Sequence, residues 1–170
     1  MEYNCEGKKK VAELLINCEY KKFIVFFEKK LLAITLEKTF IKKTNKELKK
    51  MLKSEGKGFF ARIGKADEYW DVFGERFLYM IPEEIVEEFK KTVAIEYTDV
   101  KDYFIRPFKK DGMISEGSPE DKLGDIDVKS KERGKKISFE HCYAVDDVKY
   151  EKMISYFEKK VVNADGYIEK

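Results

Sequence analysis

The sequence predicts an α+β protein in which an antiparallel, strongly bent sheet or small barrel is closed by a C-terminal amphipathic helix, with an α/β extension in front. Three observations carry that expectation. Val93, Ile95 and Tyr97 alternate like a strand, and a second strand runs from Val100 to Ile105. Asp125 to Ser130 and Lys136 to His141 alternate again on either side of a turn at Lys131 to Gly134, which reads as a hairpin. Tyr150, Met153, Ile154, Phe157 and Val161 then fall at offsets 0, 3, 4, 7 and 11, the stripe of a helix from Asp147 to Val162.

Taken in order, Val11, Leu14, Leu15 and Cys18 at offsets 0, 3, 4 and 7 predict a helix over residues 8–18. Phe23 to Phe27 and Leu31 to Leu36 are rich in aromatic and β-branched residues, which favours two strands around a polar turn at Glu28 to Lys30. A helix over residues 20–42 is the competing reading, because periodicity does not arbitrate short apolar runs. Thr44 and Glu47 have the spacing of a capping box, and Leu48, Met51 and Leu52 supply an apolar face. A helix is therefore expected from Asn45 to Ser54, stopped at Gly56.

Gly56 and Gly58 mark a loop that divides the chain into residues 1–57 and 58–170. Phe59 to Ile63 reads as a strand ended by Gly64. Tyr69 to Phe73 and Arg76 to Ile81 flank Gly74-Glu75, where glycine suits a tight turn, and so predict a second hairpin. Pro82 opens a short helix, with Glu83 and Glu84 at its positive end and Lys90 and Lys91 at its negative end. Residues 107–124 collect Gly112, Gly117, Ser118, Pro119 and Gly124 and read as a long loop. Asp147 is the expected cap of the last helix.

A chain of 170 residues, 43% hydrophobic and 14% aromatic, buries enough apolar surface to exclude disorder of the whole. Charged residues reach 40%, against roughly 25% in ordinary domains. They nearly cancel: 35 basic residues meet 33 acidic ones, for a net charge of +2. With Lys prevailing over Arg, that balance gives little support to a dedicated nucleic-acid binder. Cys5, Cys18 and Cys142 form no CxxC spacing, so neither a disulfide framework nor a zinc site is expected, and a reducing cytoplasm fits. The start of the chain lacks the basic and apolar regions of a signal peptide. The longest apolar run, Phe23 to Phe27, is far short of the ~18 residues of a membrane span. A soluble cytoplasmic protein is the expectation.

In the second half, Arg76 to Ile81 and Ala94 to Val100 supply two strands, Asp125 to His141 a Gly-turned hairpin and Asp147 to Val162 a closing helix. That order, over residues 58–162, resembles a bacterial pleckstrin-homology-like (PH-like) domain. The resemblance implies a small barrel or bent sheet plugged by a helix, serving as a binding or scaffolding module and not as an enzyme.

The candidate chemistry is sparse. His141, the single histidine, adjoins Cys142, but neighbours on a strand point to opposite faces, so a strand-end histidine and a buried thiol are expected instead of a catalytic pair. Asp127-Val-Lys129, with Asp121 and Asp125 before it, resembles the metal-binding core of the PD-(D/E)xK nucleases. Carboxylates there would hold Mg²⁺ while the lysine positions a water. The same pattern arises freely in a chain so rich in Asp, Glu and Lys. Trp70, Tyr69, Phe73, Phe77 and Tyr79 form an aromatic cluster that reads as core before it reads as a base-stacking surface. The lysine runs at 8–10, 42–43, 49–50, 109–110 and 135–136 are interleaved with acids and read as solvated surface. The expected function is a non-enzymatic binding module without cofactor or metal, whose partner is a protein met through the 107–124 loop or a sheet edge. Lys109, Lys110, Lys135 and Lys136 are its candidate contacts. A metal-dependent nuclease and a weak nucleic-acid or phospholipid binder are the alternatives.

Overall fold

A computed structural model describes residues 7–18, 21–106, 109–110, 122–144, 147–161 and 164–168. Strands β1 (Leu14–Cys18), β2 (Lys22–Phe26) and β3 (Lys30–Thr35) make an antiparallel meander. Two helices follow, α1 (Lys38–Ser54) and α2 (Phe59–Glu75), with a 3₁₀ turn at Arg76–Leu78 and a short helix α3 (Pro82–Glu88). The chain then returns to the sheet as β4 (Thr92–Glu96) and, after a 3₁₀ turn at Tyr97–Asp99, as β5 (Val100–Ile105). The short β6 (Lys109–Lys110), the long hairpin β7 (Lys122–Ser130) and β8 (Lys136–Ala144), helix α4 (Asp147–Lys160) and β9 (Asp165–Ile168) complete it.

The strand order is β4-β3-β2-β1-β8-β7-β5-β9, with β6 added to β7. It has two parts: an antiparallel half, β4 to β1, and a mixed half, β8 to β9, in which β5 and β9 run parallel. Among the described residues, Asn17↔Tyr143 and Cys18↔Cys142 join them. A flat sheet would set β4 and β5 six strand spacings apart, about 29 Å. The link from Glu96 to Val100 reaches at most about 14 Å. The sheet therefore has to curl, although no pairing closes β4 onto β5 among the described residues.

Inside the curl lies one core, built from Leu14, Ile16, Ile24, Phe26, Leu31, Ile95, Ile105, Ile126 and Val128 and filled from α4 by Met153, Tyr156 and Phe157. On the outer side of the meander lies a second core. There Leu15, Phe23, Val25, Leu32 and Ile34 pack against Trp70, Phe73, Phe77, Ile85 and Phe89. The strands β1 to β3 are thus covered on both faces, which is why they read as unbroken apolar runs.

The α+β class, the strands at 23–27 and 31–36, the helix opened by Pro82, the hairpin and the closing helix are present. Other expectations are corrected. Residues 8–18 hold strand β1 and not a helix: Leu14, Leu15 and Ile16 are buried in succession because each face meets a different core. Helix α1 starts at Lys38, seven residues before the expected start, with Glu37 extended (φ −69°, ψ 139°). Ile41 joins Leu48 and Leu52 on its inner face, so Thr44 and Glu47 sit in mid-helix and cap nothing. Gly56 does stop it, in the left-handed conformation (φ 71°), with the Lys57 N–H donating to the Leu52 carbonyl at 3.1 Å.

Residues 59–78 are helical where a strand and a hairpin were expected. Trp70, Phe73 and Phe77, at offsets 0, 3 and 7, carry the buried stripe. Gly74 makes no turn. It lets α2 approach β2 closely, since a Cβ there would lie 2.6 Å from the Phe23 ring. Of the supposed 107–124 loop, Lys109 and Lys110 pair with Leu123 and Lys122, while residues 107–108 and 111–121 lie outside the described residues. Strand β9 was not foreseen. No described helix is long and apolar enough to cross a membrane.

Candidate binding groove between α1 and α2

Helix α1 carries seven lysines and one acidic residue, Glu47, in a chain whose charges otherwise nearly cancel. Because Ile41, Leu48 and Leu52 turn inward, Lys42, Lys46, Lys49, Lys50 and Lys53 fall on the flank and outer side of the helix. They span twelve residues, with about 16 Å of helix axis between the first and the last. Lys46 has a lysine at every neighbouring helical position: 42, 43, 49 and 50.

These five lysines, with Asn45 and with Arg62 from α2, line a shallow cavity of about 500 Å³. None of the six cations has an ion-pair partner among the described residues, and the Arg62 Nε is buried without a hydrogen bond. Some cations elsewhere are matched, as in Arg76–Glu88 (2.8 Å) and Lys129–Asp102 (3.1 Å). The positive field of α1 is therefore left uncancelled locally.

Next to this rim opens a more enclosed cleft of about 370 Å³ between the two helices. Its lining is apolar, from Leu48, Leu52, Ile63, Ala66 and Trp70, and Lys21, Lys49 and Arg62 stand at its edge. Ile63 is half exposed there. The Trp70 Nε1–H donates to the Asn45 Oδ1 at 3.0 Å, which ties α2 to α1 and leaves the Asn45 amide NH₂ as a donor in the groove. Lys21, in the left-handed conformation (φ 58°), holds its ammonium 5.7 Å from the Trp70 ring centre. A strained non-glycine backbone at the lip of a cleft is a common mark of a functional position.

The residues singled out from sequence lie elsewhere. Lys109 and Lys110 are at the start of β7, beside Lys122, whereas Lys135 and Lys136 flank the turn at its far end. Seven residues of strand, about 24 Å, separate the two pairs. Lys135 is 3.2 Å from Glu132, and Lys136 is exposed. Of the nuclease candidates, Asp125 pairs with Arg106, Asp127 accepts a hydrogen bond from Ser138, and Lys129 pairs with Asp102. They lie along the outer face of an antiparallel strand, and no metal-holding group of three ligands occurs among the described residues. Asp121 and the His141 side chain lie outside the described residues. Cys142 is buried, and Trp70, Phe73 and Phe77 are core, as expected.

No family model matches the chain, and neither the curated proteins nor the solved structures give a match.

Proposed function

We propose that the protein is a non-enzymatic interaction module that docks an acidic, amphipathic segment of a partner protein in the α1–α2 groove. The observation that carries this reading is the pairing of an apolar cleft with a row of unmatched cations on one lip. A phosphate backbone would use the lysines but has nothing apolar to place over Leu52, Ile63 and Ala66. A partner helix with leucines at i, i+3 and i+7 and carboxylates beside them uses both features. The partner class expected from sequence is kept; its place moves from the 107–124 loop to the groove. A cytoplasmic setting belongs to the same reading.

A PH-like architecture is retained within this proposal. The β7–β8 hairpin followed by α4 inside a curled sheet supports it, and the 3₁₀ turn at Arg76–Leu78 in place of a strand counts against it. The nuclease alternative draws no support from Asp125, Asp127 and Lys129, each already engaged within the chain.

The test uses Trp70, the sole tryptophan, as a reporter in the cleft. A synthetic acidic helix bearing leucines at i, i+3 and i+7 is titrated against the protein, beside an equally charged peptide without leucines. A single-stranded oligonucleotide and vesicles containing phosphatidylserine complete the set. The expected result is a saturable, salt-sensitive change in Trp70 emission with the first peptide only, lost in Ile63→Asp and in Lys49→Glu/Lys53→Glu. Binding of the oligonucleotide or the vesicles with the leucine peptide silent would overturn the proposal.

A further inference from the structure

We propose that Cys18 and Cys142 are a dithiol that oxidises to an intramolecular disulfide, a covalent modification that staples the two halves of the sheet at their seam. The two residues lie directly opposite each other on antiparallel β1 and β8. Such positions set Cα atoms about 4.5–5.5 Å apart, inside the roughly 4.4–6.8 Å that a disulfide spans. Their sulfurs are in contact, with the Cys18 thiol aimed at the Cys142 Sγ at 2.6 Å. Both side chains point into the core enclosed by the curl, and both thiols are free. Bridging therefore needs no rotation of either strand.

The site matters because of where it is. Among the described residues the halves pair at Asn17↔Tyr143 and Cys18↔Cys142, and the two cysteines lie 124 apart in sequence. Packing through the core, the contact of Lys22 with the Phe139 ring and the connection at Tyr97–Asp99 also link the halves. A bond here ties the two halves covalently across the β1–β8 seam.

Burial holds the Cys18 thiol well above its usual titration range, and the adjoining Cys142 adds to this. The reduced Cys18 thiol is therefore protonated and slow to react in the closed state, and reaction proceeds when the seam between β1 and β8 opens. With hydrogen peroxide as oxidant, one thiolate attacks an oxygen, breaks the O–O bond and becomes a sulfenic acid, releasing water after proton transfer. The second thiol then displaces the hydroxyl as a further water and forms the S–S bond. Two thiols and one peroxide give one disulfide and two waters.

The experiment treats the full chain in a Cys5→Ser background with peroxide, alkylates it under denaturing conditions and digests it. The expected product is a peptide pair linked through Cys18 and Cys142, two hydrogen masses lighter than the sum and separated by dithiothreitol. The oxidised chain should also unfold at a higher denaturant concentration than the reduced one, a gain absent from Cys18→Ala/Cys142→Ala. Alkylation of both cysteines after oxidation, or sulfinic acid at either one without a linked pair, would overturn the proposal. A stabilisation by peroxide that persists in the double-alanine variant would do the same. Should the double variant not fold, the linked-peptide measurement on the Cys5→Ser chain decides alone.

Discussion

Lys46 is held among four lysines, at positions 42, 43, 49 and 50, and has no acidic partner among the described residues. Like charges at these helical spacings destabilise by about 0.2–0.5 kcal/mol each, and opposite charges stabilise by a similar amount. Lys46→Glu converts four repulsions into four attractions at little change in helix propensity. Allowing for screening at an exposed surface, the variant should be more stable than the parent by about 1–3 kcal/mol at low salt. The same change places a carboxylate in the middle of the basic rim, so binding of an acidic helix should fall sharply. Urea unfolding followed by Trp70 emission, at low ionic strength and again near 0.5 M salt, reads the first effect; the peptide titration reads the second. A gain in stability that shrinks with salt, joined to lost binding, is the signature of a surface kept repulsive for use. An unchanged or lowered urea midpoint at low salt would refute the electrostatic reasoning, because the lysines would then be independently solvated.

Three further outcomes follow from the packing. Phe157 is fully buried, with its ring 4.8 Å from Tyr103 and 6.1 Å from Phe26; Phe157→Ala should cost about 3–5 kcal/mol in urea unfolding. Gly74→Ala gains roughly 1 kcal/mol of helix propensity but drives a methyl to 2.6 Å from Phe23 and 3.3 Å from Asn17 Oδ1. Overpacking of about 1–3 kcal/mol should prevail, and a stabilised Gly74→Ala would show that α2 shifts freely on the sheet. Tyr97, buried and donating to the Phe27 carbonyl at 3.0 Å, keeps its proton far above the ordinary tyrosine range, chiefly through desolvation. The unfolded chain loses that proton near pH ~10, so the contribution is complete below this and declines as pH rises above it. The slope is about 1.4 kcal/mol per pH unit, and Tyr97→Phe should unfold with a visibly shallower decline from pH 10 upward.

Sequence periodicity placed α4 and the β7–β8 hairpin and misplaced β1 and α2. Helix α4 and the β7–β8 hairpin have a single apolar stripe, and their positions were legible to within a few residues. In β1 the consecutive Leu14, Leu15 and Ile16 serve two cores, and that run imitates a helix. The opposite error befell α2. Its dense aromatics and Gly74 look like a hairpin, yet the glycine answers the closeness of Phe23 and not a turn. The groove was missed for a related reason. Charge was balanced over the whole chain, and α1 was begun at Asn45, which left Lys38, Lys42 and Lys43 outside the helix. Counting seven lysines against one acid within that one element was open to the sequence all along. Arg62 and Trp70 were beyond it, because their meeting with α1 depends on how the two helices lie together.

The double coverage of β2 and β3 bears on how this protein must be handled. A slip of one residue between these strands exchanges one apolar face for another, so alternation alone polices their alignment weakly. Stripped of α2 on one side and α4 on the other, Phe23 to Phe27 and Leu31 to Leu36 would be bare, sticky ribbons of the kind that stack between molecules. Fragments ending before α2 should precipitate, and soluble expression should require the chain through α4.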